Sequence, residues 1–151
     1  MRRSSRIVIL DEHNHILLFN THLPKLARPV VRWITPGGGV EGEEDHHSAA
    51  VRELFEETGL VTDTLKGPIA TVSGISLLRN DIEQPTHAEF FTTRTVRFDV
   101  DRSHWLDYEH EDIRDVAWFS REEIASNLIE YGPANLLEIF DAAVLAFSDA
   151  S

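Results

Sequence analysis

Apolar residues in this chain fall into short β-branched runs near the start, and into helical spacing at two later places. Residues 6–10 (RIVIL) and 16–19 (ILLF) flank the polar stretch Asp11-Glu12-His13-Asn14-His15. Two apolar runs around such a stretch predict a β-hairpin, with His13 and His15 as turn residues. Residues 21–29 read as a loop carrying Lys25 and Arg28, and residues 30–35 as a strand ending at Pro36. Gly37, Gly38 and Gly39 then let the backbone turn tightly.

The period changes to helical over residues 46–58. Asp45 is the expected N-cap and Gly59 the expected terminator. Glu53, Glu56 and Glu57 sit at i, i+3 and i+4, within an arc of roughly 100°. Val51, Leu54 and Phe55 fall on another face and are expected to bury. Ala49 and Ala50 would let the helix pack closely. His46 and His47 are read as structural or solvated.

Residues 65–78 predict one or two strands, 79–86 a polar turn, and 87–96 a strand that residues 98–100 extend. The two strand segments should pair antiparallel. Residues 101–115 form a charged loop or a short helical piece with Trp105 and Tyr108. Residues 116–119 are a further strand. Ser120 with Glu123 makes a capping box for a short helix. A last helix runs over residues 134–147, with Pro133 in its first turn and Leu136, Leu137, Ile139, Phe140, Val144 and Leu145 in helical spacing. A frayed tail is expected from about residue 148. The order implies one domain over residues 1–151 with a mixed sheet, of the α/β or α+β class.

Composition narrows the function. The formal net charge is −12, which argues against duplex nucleic acid as a partner. It leaves phosphate substrates open, because a bound divalent cation inverts the local field. No apolar run approaches membrane-spanning length, and residues 7–10 are too short for a signal segment. The absence of cysteine removes disulfides and zinc–thiolate sites and fits a cytoplasmic protein. Three acids on one helix face repel one another, and late in a helix they oppose the macrodipole. A solvated acidic face is one reading; a face completed by a cation is the other. Oxygen-only donors favour Mg²⁺ or Mn²⁺ over zinc.

Gly38, Glu44, Arg52, Glu53, Leu54, Glu56, Glu57, Gly59 and Leu60 together match G-x5-E-x7-R-E-U-x-E-E-x-G-U, where U is a bulky aliphatic residue. A chance match in a chain of this length is on the order of one in ten million. The pattern resembles the Nudix box, and Trp33-Ile34-Thr35-Pro36 before it and Trp118-Phe119-Ser120 after it fit the same family. One departure is Gly42-Glu43, where the family usually carries Pro-Gly. Glu43 then competes with Glu44 for the upstream role, and Glu44 is preferred for its spacing to Arg52.

The resemblance implies an α/β/α sandwich. It implies metal-dependent hydrolysis of the pyrophosphate bond of a nucleoside diphosphate linked to another group, with Mg²⁺ or Mn²⁺ as cofactor. By motif position, Glu53, Glu56 and Glu57 are the expected metal ligands, with Glu44 and the Gly38 carbonyl in support. Glu53 is also a candidate general base. Arg52 is expected to organise the loop by ion pairing, with its side chain turned away from the centre of the acidic face. Further candidate bases are Glu109 and Glu111, with Glu89 behind them, and His110 is able to act near neutral pH. Arg32 and Arg28 are candidates for substrate phosphate. Trp33, Phe90, Phe91, Trp105 and Tyr108 are able to stack on a base, with core packing the competing role. Homodimers are common in the family. The alternatives are a catalytically silent nucleotide- or metabolite-binding module, which usually lacks some box acids, and an isopentenyl-diphosphate isomerase-like enzyme, which needs a cysteine this chain does not have. The substrate within the family stays open.

Overall fold

The computed structural model describes residues 1–148, so residues 149–151 of the expected tail lie outside the described part. Strands β1 (Arg2–Leu10) and β2 (Ile16–Leu23) form the expected hairpin. Buried Asp11 closes its turn. Its carboxylate accepts the N–H groups of His13 and His15 at 2.8 and 2.9 Å, and Arg97 Nε donates to it at 2.8 Å. Beyond the turn the two strands diverge, pairing at Leu10–Ile16. The first half of β1 takes β4 (Gly37–Gly39) as a partner, and the second half of β2 takes β3 (Val30–Ile34). On the other side of β1 lies β6 (Glu83–Arg94), parallel to it, followed by antiparallel β5 (Lys66–Leu77). The sheet order is β3-β2-β1-β6-β5, and β7 (Ile113–Phe119) pairs with β2.

The alternation along β1 builds a core on each face of the sheet. Ile7 and Ile9 pack with Leu17, Phe19 and Phe91 against Ala50 and Leu54 of α1 (His46–Thr58). Val8 and Leu10 pack with Ile16, Leu18 and Phe90 against Ile124 of α3 (Arg121–Ala125) and against Leu136, Ile139 and Phe140 of α4 (Leu136–Ala146). The short α2 (Asp107–Asp112) precedes β7 on the α1 side, where Trp105 joins the core. The result is the mixed α+β sandwich that the sequence predicts. The bounds of α1 match the expected helix. Asp45 Oδ1 accepts the Ser48 N–H at 2.7 Å, and Gly59 closes the helix at φ 79° with its N–H on Phe55 O. Ser120 and Glu123 cap α3 reciprocally.

Several expectations change. Gly37–Gly39 is a strand rather than a turn, because the backbone of β1 at Ser4, Ser5 and Arg6 offers it a ladder. The polar segment 79–86 holds only a short 3₁₀ turn, Arg79–Asp81, and β6 already begins at Glu83. Residues 98–100 do not extend the sheet; Phe98 and Val100 pack instead on the α1-side core. The last helix starts at Leu136, so Pro133 precedes it. Val51 and Phe55, expected to bury, are 37% and 39% exposed, while Glu53 and Glu57 lie inside. Small Ala49 and Ala50 bring α1 close to β1, and that approach turns the acidic face toward β4 rather than toward solvent.

Burial by itself would raise the Asp11 pKa. The N–H groups of His15 and His13, together with Arg97, outweigh it and hold the carboxyl below its ordinary value. A depressed folded pKa means stabilisation that is present above the unfolded value of about 4 and lost as pH falls through the folded one. Asp11→Asn keeps the shape and removes the charge. It is expected to lower stability by about 1–2 kcal/mol at pH 7, with the gap closing below about pH 4. Urea melts at both pH values check this, and an equal gap at both would refute it.

Candidate active site

Glu53 and Glu57 stand one turn apart on α1 and face β4, at 9% and 5% exposure. Glycine makes the approach possible. A Cβ on Gly38 would sit 2.5 Å from Glu53 Oε1, and Gly37 holds φ 146° with its N–H directed at Glu57 Oε2, 3.4 Å away. The backbone of β4 therefore lies directly against the carboxylates, with no side chain between.

Arg52 binds the acids into one body. Its Nε and Nη2 donate to Glu44 at 2.9 Å each, its Nη1 to Glu53 at 2.9 Å and to Glu56 at 3.2 Å, and its Nη2 also to the Gly39 carbonyl at 2.9 Å. The expectation that Arg52 turns away from the acidic face is thus corrected. The i,i+4 reach to Glu56 and the nearness of β4 fold its long side chain back across the helix. Glu44 is the upstream acid in contact. Its bond to Arg52 holds its pKa below the ordinary value, and its Oε1 accepts the Glu41 N–H at 3.1 Å across the Gly42-Glu43 turn. Glu43 is exposed, with no described partner.

Arg6 was not anticipated as a site residue. It lies opposite Gly37 in the β1–β4 ladder, donates to the Thr35 carbonyl, and reaches the field of Glu57 and Glu53. Its signal was an arginine opening an apolar run, which reads as an ordinary strand end until β4 is placed beside it. Burial depresses its pKa, while Glu57 and Glu53 oppose that depression. Glu109 is buried at 8% exposure; its Oε1 accepts the Leu106 N–H at 3.0 Å, and its charge acts on Glu57. The Glu57 carboxyl is pushed well above its ordinary pKa, first by burial and then by Glu53 and Glu109, against the pull of Arg6. Glu53 is raised too, by burial, against the contacts with Arg52. Trp105 Nε1 donates to the Glu57 carbonyl at 2.7 Å and anchors the end of the helix. The Tyr108 phenol is pushed above its ordinary pKa, first by burial and then by Glu109, Glu53 and Glu57.

Arg6 and Arg32 line one cleft of about 230 Å³, walled by Thr35, Val72, Ala88 and Phe90. A larger hollow of about 380 Å³ lies at His13, Ser120 and Asp141; neither hollow is lined by the acidic motif itself, and the cleft is the one whose Arg6 feels Glu57 and Glu53. Arg28 is exposed in the loop before β3 and does not line the cleft. Glu111 is exposed on α2, and no described interaction joins it to the acids. Glu89, the lower-ranked candidate base, stands at the first turn of α1, beside His46. Phe90, Phe91 and Trp105 are core residues, while Trp33 packs edge-on to Phe119.

A divalent cation fits this place. The side-chain donors are oxygens alone, and buried carboxylates that repel one another have only Arg52 and Arg6 as described neutralising partners. That chemistry suits magnesium or manganese rather than a soft metal.

A family profile described as the NUDIX domain matches residues 1–141. Diphosphoinositol polyphosphate phosphohydrolase 3-alpha of Mus musculus is 33% identical over 92 residues, 61% of this chain and 49% of that protein. The chain thus spans about half the length of the curated relatives it matches first. Among solved structures, the MutT protein of Methanosarcina mazei Go1 aligns over 98% of this chain and 96% of its own, at TM-score 0.69 and 22% identity. A C. elegans Ap4A hydrolase binary complex aligns over 97% and 98%, at TM-score 0.66 and 19% identity. At these identities the structural likenesses speak for the fold.

Two outcomes follow from the geometry. Arg52→Lys, which loses the fork that spans Glu44 and Glu53, is expected to destabilise the chain by about 1–3 kcal/mol despite keeping its charge. An unchanged denaturation midpoint would show that the arginine network is incidental. A raised folded pKa means that burying the ionised Glu57 opposes folding as pH rises above the ordinary carboxylate range. Glu57→Gln is therefore expected to raise the melting temperature of metal-free protein at pH 7, and a clear decrease would contradict the buried-charge account.

Proposed function

Because the chain belongs to the NUDIX family, we propose that it is a metal-dependent pyrophosphohydrolase, cleaving the diphosphate link of a small nucleotide-like molecule. The observation that carries this is the burial of Glu53, Glu57 and Glu109, all at least nine-tenths buried and with the charges of Glu53 and Glu109 acting on Glu57, together with Arg6, which feels Glu57 and Glu53 and lines a cleft with Arg32. Glu53, Glu56 and Glu57 would hold Mg²⁺ or Mn²⁺, with Glu44 and the Gly38 carbonyl in support. Bound there, the cation supplies charge neutralisation at the pyrophosphate oxygens and eases formation of a hydroxide-like nucleophile.

The remaining work falls to the chain's own residues. Arg6 and Arg32 bind phosphoryl oxygens in the cleft and orient the diphosphate toward α1. Arg52 is a positioning residue: by tying Glu44, Glu53 and Glu56 to the Gly39 carbonyl it fixes the acids before substrate arrives. Glu109, whose charge already acts on Glu57, is better placed than exposed Glu111 to take the proton of the attacking water. Glu53 remains the other candidate base. The apolar walls at Val72, Ala88 and Phe90 exclude bulk water from one side of the link. The names of the relatives, a diphosphoinositol polyphosphate phosphohydrolase and an Ap4A hydrolase, support a substrate that contains a phosphoanhydride and carries several phosphoryl groups.

The test is phosphate release, read through a coupled phosphatase, from a panel of ADP-ribose, a nucleoside diphosphate sugar, a dinucleoside tetraphosphate and a diphosphoinositol polyphosphate, with Mg²⁺ or Mn²⁺. Turnover of at least one compound is expected, abolished by chelator and reduced at least about 100-fold in Glu57→Gln, the scale of losing one group that stabilises transition-state charge. Arg32→Ala is expected to raise KM about 10-fold, by removal of one charged hydrogen bond. Silence across the panel, with a panel compound still raising the melting temperature, would turn the reading to a binding module. Full activity in Glu57→Gln would overturn the assignment of the acids.

A further inference from the structure

Where the first turn of α1 meets the sheet, three side chains outside the acidic set converge. His46 Nε2 lies 3.3 Å from Glu89 Oε2, and His87 Nε2 lies 3.1 Å from the same oxygen. The rings stand nearly perpendicular, with centroids 5.6 Å apart and an interplanar angle of 82°. One ligand atom from each residue falls within 4.8 Å of the others, and all three residues are half-buried. Each far ring nitrogen is held by a serine: His46 Nδ1 is 3.0 Å from Ser5 Oγ, and His87 Nδ1 is 2.8 Å from Ser73 Oγ. The sequence treats His46 and His47 alike; the structure separates them, with His47 exposed against Phe91.

Ser5 fixes which ring nitrogen of His46 carries a hydrogen. Its single hydroxyl proton is donated to the His46 carbonyl at 2.8 Å. The Ser5 oxygen is then the acceptor toward Nδ1, so Nδ1 carries the hydrogen. A neutral His46 thereby presents the lone pair of Nε2 to a carboxylate oxygen, acceptor against acceptor. A proton on Nε2 or a metal ion would bridge them. Zinc bonds nitrogen and oxygen at about 2.0–2.2 Å, which places tetrahedral ligand atoms roughly 3.3–3.5 Å apart. The two Nε2–Oε2 separations, 3.3 and 3.1 Å, are close to that edge. Nδ1 partners that orient ligating imidazoles are the usual outer support of such a site, and here both are present.

We propose that His46, His87 and Glu89 bind a first-row divalent cation of the zinc class, with a fourth position open to water. The site shares no residue with Glu53, Glu56 and Glu57 and stands two helical turns from Glu53, about 10 Å along the α1 axis. Its donor set of two imidazoles and one carboxylate selects against magnesium, which prefers oxygen throughout. It joins the start of α1 to β6, and through Ser5 and Ser73 to β1 and β5. A bound cation there pins the helix that carries the acids at the end the acids do not reach.

The experiment is a zinc titration of the chelator-stripped 151-residue chain under excess Mg²⁺, read by competition with a chromophoric chelator, with Co²⁺ as a spectroscopic probe. The expected result is one tightly bound Zn²⁺ per chain, a higher melting temperature, and the intense visible bands of low-coordinate Co²⁺. His87→Ala and Glu89→Gln are each expected to weaken binding at least 100-fold, and Ser73→Ala about 10-fold, while Glu57→Gln keeps the site. Imidazole nitrogen resonances of the wild-type chain give a readout independent of any variant's folding: zinc shifts Nε2 of both His46 and His87. No zinc retained under Mg²⁺, resonances reporting a protonated His46 that zinc does not displace, or binding lost in Glu57→Gln but kept in His87→Ala would overturn the proposal.

Discussion

Carboxylates confined beside a glycine strand are the constraint on which the rest of this structure depends. Glu53 and Glu57 could not both enter the space between α1 and β4 if β4 carried side chains, and they could not stay there without counter-charge. The chain answers with cations from two directions. Arg52 folds back over the helix and binds Glu44, Glu53 and Glu56 together with a backbone carbonyl. Arg6 comes from the strand beneath and draws down the pKa of Glu57 that burial has raised. Neither arginine cancels the field completely, and the remainder is what a divalent cation and a phosphoryl substrate would share.

The sheet makes this arrangement affordable. The β1–β2 hairpin is held at its closed end by buried Asp11 and opens at the other, so that each strand takes a new partner. The opening brings Gly37–Gly39 onto the edge of β1 and leaves Arg6 and Arg32 on the walls of one cleft. The two cores, one under α1 and one under α3 and α4, are built from alternate residues of the same strands. Apolar packing on both faces therefore fixes the register that puts Arg6 opposite Gly37. A slip of one residue would send Arg6 into the core with Ala50 and Leu54 and remove it from the cleft.

Helix α1 is loaded at both ends. Near its C-terminus it carries repelling acids, held by Trp105 through the Glu57 carbonyl. At its first turn it carries His46, tied through Ser5 to β1 and facing Glu89 of β6. A helix that presents buried charge gains little from its own sequence preferences, so its placement rests on contacts at its two ends and on the small Ala49 and Ala50 between them.

The sequence by itself determined the elements whose causes are local. The bounds of α1 follow from Asp45 and Gly59, the α3 cap from Ser120 and Glu123, and the hairpin turn from Asp11 and its neighbours, because caps and turns act within a few residues of themselves. The acidic motif was legible for a related reason: its spacing is set by one helix. What tertiary structure alone decided are the meetings between distant segments. It turned the acids inward and Val51 and Phe55 outward, since the depth to which Ala49 and Ala50 let the helix settle depends on β1. It made a strand of three glycines, because only the free edge of β1 offers them a ladder. It brought Arg6 to Glu57, chose Glu109 over Glu111 for burial, left Arg28 outside the cleft, and gathered His46, His87 and Glu89 from two elements 41 residues or more apart in sequence. His87 and Glu89 share a face of β6 at the strand period, but no period links them to His46, and only the packing of α1 on the sheet brings it to that point.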